Sequence, residues 1–200
     1  MSTRTTHGQV PVYSRDDWER QYRSGRWDYL TEPAEDARYT ALADRILANG
    51  ARDVLDVGCG TGTLRDRLGP RFDGRYVGVD WSRDALAARG RRPGELLLCA
   101  DASRLPLRGR FDAVVLSEVL YYLDDPVDTA VGMLDRVASG GELLISLYLP
   151  PPERHPGWHA LIAELDTRLR ELPGAAAHQV VTATPGRRWA LHAVTRGGRA

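Results

Sequence analysis

The chain has 200 residues, of which 42% are hydrophobic and 27% are charged, and these proportions are typical of one globular domain. All 27 basic residues are arginine and they balance 27 acidic residues, so the net charge of zero disfavours a surface that binds nucleic-acid phosphates. The lack of lysine excludes lysine Schiff-base chemistry, and the two cysteines are too few and too isolated to form a zinc site.

The N-terminal segment predicts a helical lid on a single domain. Its first eight residues contain no apolar stretch, so we expect a cytoplasmic protein with reduced cysteines and no membrane segment. Residues 1–15 are predicted to be loosely attached, and a short helix follows from Asp16 to Ser24. A second helix begins after Pro33 and ends near Asn49, where Asn-Gly is a plausible stop. We expect residues 1–33 to form the lid and 34–200 the catalytic core.

The middle of the chain alternates between short apolar strands and helices. This alternation is typical of a parallel sheet that is buried on both faces. The predicted strands are Val54–Val57, Tyr76–Val79, Glu95–Cys99, Phe111–Leu116 and Glu142–Tyr148. The predicted helices between them are Thr63–Leu68, Arg83–Arg89 and Val127–Val137.

The C-terminal segment breaks this rhythm. A helix from His155 to Leu172 is followed by two strands, Val180–Ala183 and Trp189–Val194. Only a short link, Thr184 to Arg187, separates these strands. Because so short a link holds no crossover helix, the two strands should pair as an antiparallel hairpin. The sequence therefore predicts a Rossmann-like α/β sandwich with seven strands, mostly parallel, and a reversed last strand.

A glycine-rich turn and three acidic residues follow the predicted strands. Gly58, Gly60 and Gly62 lie between the first strand and its helix, where they allow a tight turn and close contact of a ligand with the backbone. Asp56 in that strand would repel a pyrophosphate but suits an ammonium group. Asp80 ends the second strand, where it suits a ribose diol, and Asp101 follows the third, where it suits an adenine amino group. The set indicates a cationic adenosine ligand, unless each acid merely caps a helix.

These motifs resemble those of class I S-adenosylmethionine-dependent methyltransferases over nearly the whole chain. The matching segments, in the order of that family, are Val54 to Gly62, Tyr76 to Asp80, Ala100 to Pro106, Phe111 to Leu120, and Gly140-Gly141 before Leu143. The segment from Ser117 to Leu123 is most similar to small-molecule and natural-product enzymes of the nodulation-factor N-methyltransferase type. Asp36-Ala37-Arg38-Tyr39 is similar to an acid–arginine–tyrosine group of those enzymes.

The resemblance implies S-adenosylmethionine as cofactor, S-adenosylhomocysteine as product, and a role for each matching residue. Asp56 and the turn through Gly58, Cys59 and Gly60 would hold the methionine part, while Tyr22 or Arg38 would meet its carboxylate. The residues implied for the ribose, the adenine and the sulfonium side are Asp80, Trp81, Asp101, Ala102 and Ser117.

The substrate side is predicted from residues that follow the fourth strand and begin the last helix. Glu118 and Tyr122 lie at the sheet edge where this fold binds ligands, so they are candidates to steer or deprotonate an amine or hydroxyl. His155 is a further candidate base, although a surface or helix-start role is the alternative for it and for His159. His178 and His192 are interpreted as structural, and no metal is expected.

The predicted function is methyl transfer to nitrogen or oxygen of a small molecule, in a monomer or homodimer. An RNA or protein methyltransferase and a noncatalytic adaptor that binds the cofactor remain as alternatives. No Asp-Pro-Pro-Tyr type motif for amino-methylation of a flipped base follows the fourth strand. A nicotinamide dehydrogenase shares part of the pattern, but Asp56 and the reversed last strand oppose it.

Overall fold

One seven-stranded sheet forms the centre of the computed structural model, which describes residues 13–184 and 187–196. The strands are β1 (Asp53–Val57), β2 (Arg75–Asp80), β3 (Glu95–Cys99), β4 (Phe111–Ser117), β5 (Val137–Tyr148), β6 (Ala175–Thr184) and β7 (Arg187–Thr195). Their order across the sheet is β3-β2-β1-β4-β5-β7-β6. The first five strands pair in parallel, and β7 pairs antiparallel with both β5 and β6. The predicted fold class is confirmed.

Within the described ranges six α-helices flank this sheet, and local sequence signals explain where several of them begin. They are α1 (Arg15–Arg23), α2 (Asp36–Ala48), α3 (Thr63–Leu68), α4 (Arg83–Arg89), α5 (Pro126–Leu134) and α6 (Pro156–Arg170). Ser14 and Asp17 form a capping box at the start of α1, Ser82 caps α4, and proline occupies the first turn of α5 and α6. The bounds of α3, α4 and β3 agree with the prediction. No helix in the described ranges is long and apolar enough to span a membrane.

Both faces of the sheet are buried, because alternate residues of each central strand enter different cores. Leu55 and Val57 of β1 pack on the face that α5 and α6 cover, whereas Val54 packs on the opposite face against α2 and α3. Each fully buried Leu or Val contributes about 1.5–3 kcal/mol relative to exposure. This double burial explains why the strands read as continuous apolar runs.

The junction of α5 and β5 differs from the prediction. The helix ends at Leu134, and Val137, predicted to lie in the helix, instead pairs with Phe111 at the start of β5. The pair Gly140-Gly141, expected as a loop before the strand, lies inside it at a register irregularity. A Cβ on Gly141 would lie 2.6 Å from the Asp112 carbonyl oxygen, so only glycine fits this close approach of two strands.

The C-terminal hairpin is longer than predicted but has the predicted antiparallel pairing. Strand β6 begins at Ala175, five residues before the expected start, because its alanines pair with the apolar strand β7 although they lack a β-branched pattern themselves. The expected turn between the strands includes residues 185–186, and the expected loose start includes residues 1–12, which both lie outside the described ranges.

Candidate active site

A cavity of about 760 Å³ opens at the carboxyl ends of the central parallel strands. Loops that follow β1, β2, β3 and β4 form its floor, as in other open α/β sheets that bind ligands at this edge. Aromatic residues of the lid segment, of the loop after β4, of the end of β5 and of α6 form its walls. Those that line it are Tyr13, Trp18, Tyr22, Trp27, Tyr29, Tyr122, Tyr148 and Trp158.

The structure brings all but one of the residues predicted for the site to this cavity. The predicted residues that line it are Tyr22, Arg38, Gly58, Cys59, Gly60, Asp80, Trp81, Asp101, Ala102, Ser117, Glu118, Tyr122 and His155. Asp56 does not belong to the lining. These residues come from separate parts of the chain, so their assembly agrees with a common site.

Asp56 lies beneath the turn rather than in the cavity. Its Oδ2 accepts a hydrogen bond of 2.6 Å from the Tyr76 hydroxyl, and its buried Oδ1 has no partner. Burial raises the pKa of this carboxyl to about 6. Because side chains alternate along β1, Asp56 points to the same sheet face as Val54 and Tyr76. Asp56 therefore lies below the cavity lining, and its contact with a ligand ammonium stays a prediction.

The glycine turn brings its backbone close to the cavity. Gly58 has a φ of 77° and Gly60 a φ of 54°, a region that favours glycine. A Cβ on Gly58 would lie 2.2 Å from Val119 Cγ2, and one on Gly60 would lie 2.9 Å from the Tyr22 hydroxyl. A side chain at either position would thus collide with Val119 or Tyr22, which both line the cavity, so glycine allows this close packing around the turn.

Two acidic side chains at neighbouring strand ends face the cavity. Asp80 Oδ2 accepts a hydrogen bond of 2.8 Å from the Gly60 N–H, and its Oδ1 accepts one of 2.8 Å from the Ser82 N–H. Burial raises the pKa of the Asp80 carboxyl to about 6. Asp101 accepts a hydrogen bond from the Ser103 N–H and caps a short 3₁₀ turn. This residue therefore both caps a turn and lines the cavity.

A buried arginine connects the start of α2 to the fourth strand. Arg38 is 1% exposed. Its Nη2 donates a hydrogen bond of 2.8 Å to Glu35 Oε2, and its Nη1 donates a second hydrogen bond to Ser117 Oγ. Its guanidinium carbon lies 4.0 Å from the centre of the Tyr39 ring, and its Nε has no partner. The acid of the acid–arginine–tyrosine group is thus Glu35, because Asp36 instead pairs with Arg67 at the surface.

Glu118 holds a strained backbone conformation at the centre of the site. Its φ of 61° is the single positive value among non-glycine residues of the described chain, and such strain is concentrated at functional sites. Its carboxylate accepts hydrogen bonds from the Ser146 and Tyr121 hydroxyls and from the Tyr148 N–H at 2.7–3.1 Å. Burial raises the pKa of this carboxyl. Three donors suit a positioning role, and a role as base stays a prediction.

Tyr122 and His155 occupy different depths of the cavity. The Tyr122 ring packs edge-on against Trp18 with 5.0 Å between centroids, and burial raises the pKa of its phenol well above 10.0. Tyr122 is therefore protonated at neutral pH and suits contact or hydrogen-bond donation better than proton removal. His155 is exposed at the start of α6, 6.0 Å from the Trp158 ring. His159 lies outside the lining, with Nδ1 2.9 Å from the Pro150 carbonyl oxygen.

Helix α1 closes over the cavity through a contact that the sequence did not reveal. The Glu19 carboxylate accepts hydrogen bonds of 2.8–2.9 Å from the Ser82 hydroxyl and from the Arg83 and Asp84 N–H groups at the start of α4. Arg23 adds an ion pair of 2.8 Å with Asp84. These two contacts, which we call the Glu19 latch, hold α1 in place, with Tyr22 beside Gly60 of the glycine turn and Trp18 against Tyr122.

Several further residues of the site come from distant segments. Arg187 of β7 forms an ion pair of 3.1 Å with Glu35, and Tyr148 and Trp158 line the substrate wall. For Glu19, the only sequence signal was its position on a helix that we predicted to be part of the lid. Periodicity indicated the elements that carry these residues, but not which of their side chains face the cavity.

Comparison with known proteins agrees with the motifs. Residues 55–145 match a family model described as "Methyltransferase domain". A chondramide synthase of Chondromyces crocatus is 31% identical over 163 residues, which are 72% of this chain and 4% of that protein. An uncharacterised methyltransferase of Mycobacterium tuberculosis is 35% identical over 127 residues, 60% of this chain and 63% of the relative. A tRNA U34 carboxymethyltransferase of Shewanella denitrificans is 31% identical over 59% of this chain and 38% of the relative.

A solved structure has the same fold. The N-methyltransferase NodS of Bradyrhizobium japonicum, crystallised with S-adenosylhomocysteine, superposes with a TM-score of 0.69 at 21% identity, and the match covers 90% of this chain and 96% of that one. The chain spans less than two thirds of the length of the curated relatives named above.

Proposed function

Because residues 55–145 form a methyltransferase domain within the class I S-adenosylmethionine-dependent methyltransferase fold, we propose that this chain methylates a nitrogen or oxygen atom of a small molecule. S-adenosylmethionine is the cofactor of this class. The observation that carries the proposal is the cavity, in which the glycine turn and two strand-end acids meet an aromatic wall under the lid.

The residues of the cavity fit the cofactor. Six carboxylates but only three guanidinium groups line it, a balance that favours a cationic ligand. Asp80 would hold the ribose hydroxyls, Asp101 the adenine amino group, and the glycine turn the methionine part. Arg38, whose buried Nε lacks a partner, would meet the methionine carboxylate. When bound, the cofactor supplies an electrophilic methyl group on a sulfonium.

The chain's own contribution to the reaction is chiefly alignment. Glu118 accepts hydrogen bonds from Tyr121 and Ser146, and the Ser146 hydroxyl is also hydrogen-bonded to that of Ser117. This set would hold the acceptor side of the cavity in one geometry. The lid excludes water from the in-line displacement. The acceptor's proton would pass to solvent through His155 at the cavity mouth, because Tyr122 is protonated and Glu118 already accepts three hydrogen bonds.

A small-molecule acceptor is favoured by the enclosure of the site. Trp18 and Tyr22 of the lid lie over the turn, and Trp18 stacks on Trp27 with 5.2 Å between centroids. Aromatic surface of this kind binds an apolar or planar acceptor. A folded RNA or protein acceptor would require the Glu19 latch to open. The two free thiols, Cys59 and Cys99, suit the reduced cytoplasm that we propose as the setting, in a monomer or homodimer.

Calorimetry with S-adenosylhomocysteine and Asp80→Ala tests the cofactor site. Loss of a charged hydrogen-bond acceptor is worth about 1.5–3 kcal/mol, so we expect the variant to bind about 10–100-fold more weakly than the wild type. The exposed Asp73→Ala is the matched control and should bind like the wild type. Equal affinity of Asp80→Ala and wild type would contradict the site, and binding of NADH in its place would favour a dehydrogenase.

Transfer of a labelled methyl group from S-adenosylmethionine to a panel of amines, phenols and carboxylic acids tests the activity. We expect a labelled small molecule. Label in RNA or protein fractions alone would favour those acceptor classes. Tight cofactor binding without transfer to any fraction would favour a noncatalytic adaptor.

A further inference from the structure

Two histidines and an aspartate converge at a place remote from the cavity. His178 on β6 and His192 on β7 are direct register partners, and Asp166 lies on α6 above them. Asp166 Oδ1 is 3.1 Å from His178 Nε2 and 2.9 Å from His192 Nε2. One ligand atom of each residue lies within 4.8 Å of the other two.

The fold explains this convergence. Directly paired residues of antiparallel strands present their side chains on the same sheet face, so the two imidazoles lie side by side with 4.9 Å between centroids. Asp166 follows Ile162 and Leu165 on the buried stripe of α6, so its carboxylate points toward the sheet. Strand register and helix periodicity therefore aim three ligand atoms at one point.

The protein leaves this cluster incompletely bonded. His192 is 3% exposed, and its Nε2 forms no hydrogen bond of acceptable geometry despite the nearby Asp166 Oδ1. Arg170 donates to the other oxygen of Asp166, Oδ2. A small cavity of about 240 Å³, lined by His178, His192 and Arg170, adjoins the cluster.

We propose that Asp166, His178 and His192 bind a divalent transition metal, with Zn²⁺ as the best match. Two imidazole nitrogens and one carboxylate oxygen are a common zinc ligand set, and the small cavity leaves room for a water as the fourth ligand. Arg170 orients the carboxylate by holding Oδ2, as outer-shell partners of metal ligands commonly do. The site would join α6 to the β6–β7 hairpin, and it is independent of the proposed function.

Arg170 also provides a test that distinguishes a metal site from a hydrogen-bonded cluster. Its guanidinium lies against a ligand carboxylate and repels a cation bound there. Arg170→Gln removes that charge and keeps a side chain that can donate to Oδ2. This variant should therefore bind Zn²⁺ more tightly than the wild type, whereas a cluster that serves only as hydrogen bonds would gain no metal affinity from it.

Calorimetric titration with ZnCl₂ of the metal-stripped, untagged protein is the direct test. We expect one equivalent to bind per chain, and His178→Ala to lower the affinity by about tenfold or more. His178 is partly exposed, so its replacement should preserve folding, and His159→Ala is the matched control that should leave the affinity unchanged. Thermal unfolding should shift upward by about 5 °C or more at a hundredfold excess over Kd, and His178→Ala should lose that shift.

Three outcomes would overturn the site: no Zn²⁺ binding by the wild type, equal affinity of His178→Ala and wild type, or equal loss in His159→Ala. Weaker binding by Arg170→Gln than by the wild type would contradict the position of the ion on Asp166 Oδ1. Circular dichroism of each variant separates metal loss from misfolding.

Discussion

Asp56 shows how a single residue can favour a site at the expense of stability. Its carboxylate is buried with one hydrogen bond, from Tyr76, and without a counter-charge in direct contact. Burial, together with the nearby charge of Asp80, raises the pKa of the Asp56 carboxyl to about 6, although the hydrogen bond from Tyr76 opposes that shift. Keeping both charges at neutral pH costs folding free energy, and we infer that a cationic ligand above the turn would offset it.

We predict that Asp56→Asn changes the pH dependence of stability. Above pH 6 the Asp56 carboxyl is charged in both the folded and the unfolded state, so the penalty is complete. Below the ordinary aspartate pKa of 3.8 it is protonated in both states, and the penalty vanishes. The variant should therefore gain about 1–2 kcal/mol relative to the wild type between pH 5 and pH 8. Urea unfolding of both proteins at the two pH values measures this change.

The comparison between pH values removes any constant effect of the new amide. Asp73→Asn, whose side chain is 77% exposed, is the control and should show no such relative change. A stability difference between Asp56→Asn and wild type that is the same at both pH values would show that Asp56 does not titrate in this range.

Helix α1 is the element that changes the cavity from a groove into an enclosed space. None of its residues is fully buried, although Trp18 packs on Trp27 and Tyr122, so the Glu19 latch supplies much of the polar contact that holds its position. Hydrogen bonds to the Ser82 hydroxyl and to two backbone N–H groups lower the pKa of the Glu19 carboxyl despite its desolvation. A helix held in this way suits a lid that opens and closes.

We expect Glu19→Ala to loosen the lid without unfolding the core. Amide hydrogen exchange in α1 should accelerate by about tenfold, as loss of charge-assisted hydrogen bonds worth about 1–2 kcal/mol allows, and the sheet should be unaffected. Mass spectrometry of deuterium uptake provides the measurement. Asp16→Ala, which removes an exposed acid from the same helix, is the control. Unchanged exchange in Glu19→Ala would show that the latch does not hold α1.

At the level of elements, the sequence predicted most of the core but little of the side-chain contacts that build the site. Leu55, Val57 and the glycine turn could be assigned because periodicity and backbone conformation are local properties. The side-chain direction of Asp56 depends on strand alternation, and the partner of Arg38 depends on a 3₁₀ turn that places Glu35, rather than Asp36, beneath it. The pairing of His178 with His192 required the register of a hairpin whose turn length alone does not define it.

At the scale of the whole molecule, acidic and basic residues are equal in number but unevenly distributed over the structure. The net charge is zero, yet carboxylates outnumber guanidinium groups two to one around the cavity. Such a distribution concentrates a cationic ligand at one edge of the sheet and offers no broad basic surface. The same balance supports the proposed small-molecule acceptor over an RNA such as the tRNA that the name of one relative mentions.

We therefore expect negligible affinity for RNA at physiological salt. A protein that makes six or more phosphate contacts loses about 10³–10⁵ in affinity between 50 and 200 mM salt, and this chain should show neither tight binding nor that slope. Fluorescence anisotropy with labelled tRNA at the two salt concentrations measures both. Submicromolar binding with a steep salt dependence would favour an RNA acceptor.

Ser82 forms hydrogen bonds both with the proposed cofactor site and with the lid. Its N–H donates to Asp80 and its hydroxyl donates to Glu19, so the group proposed for the ribose and the latch share a single support. Because the closed lid covers the glycine turn, the cofactor would enter first and the demethylated product would leave last. Steady-state kinetics would then follow a compulsory order, in which S-adenosylhomocysteine competes with S-adenosylmethionine and lid opening limits turnover.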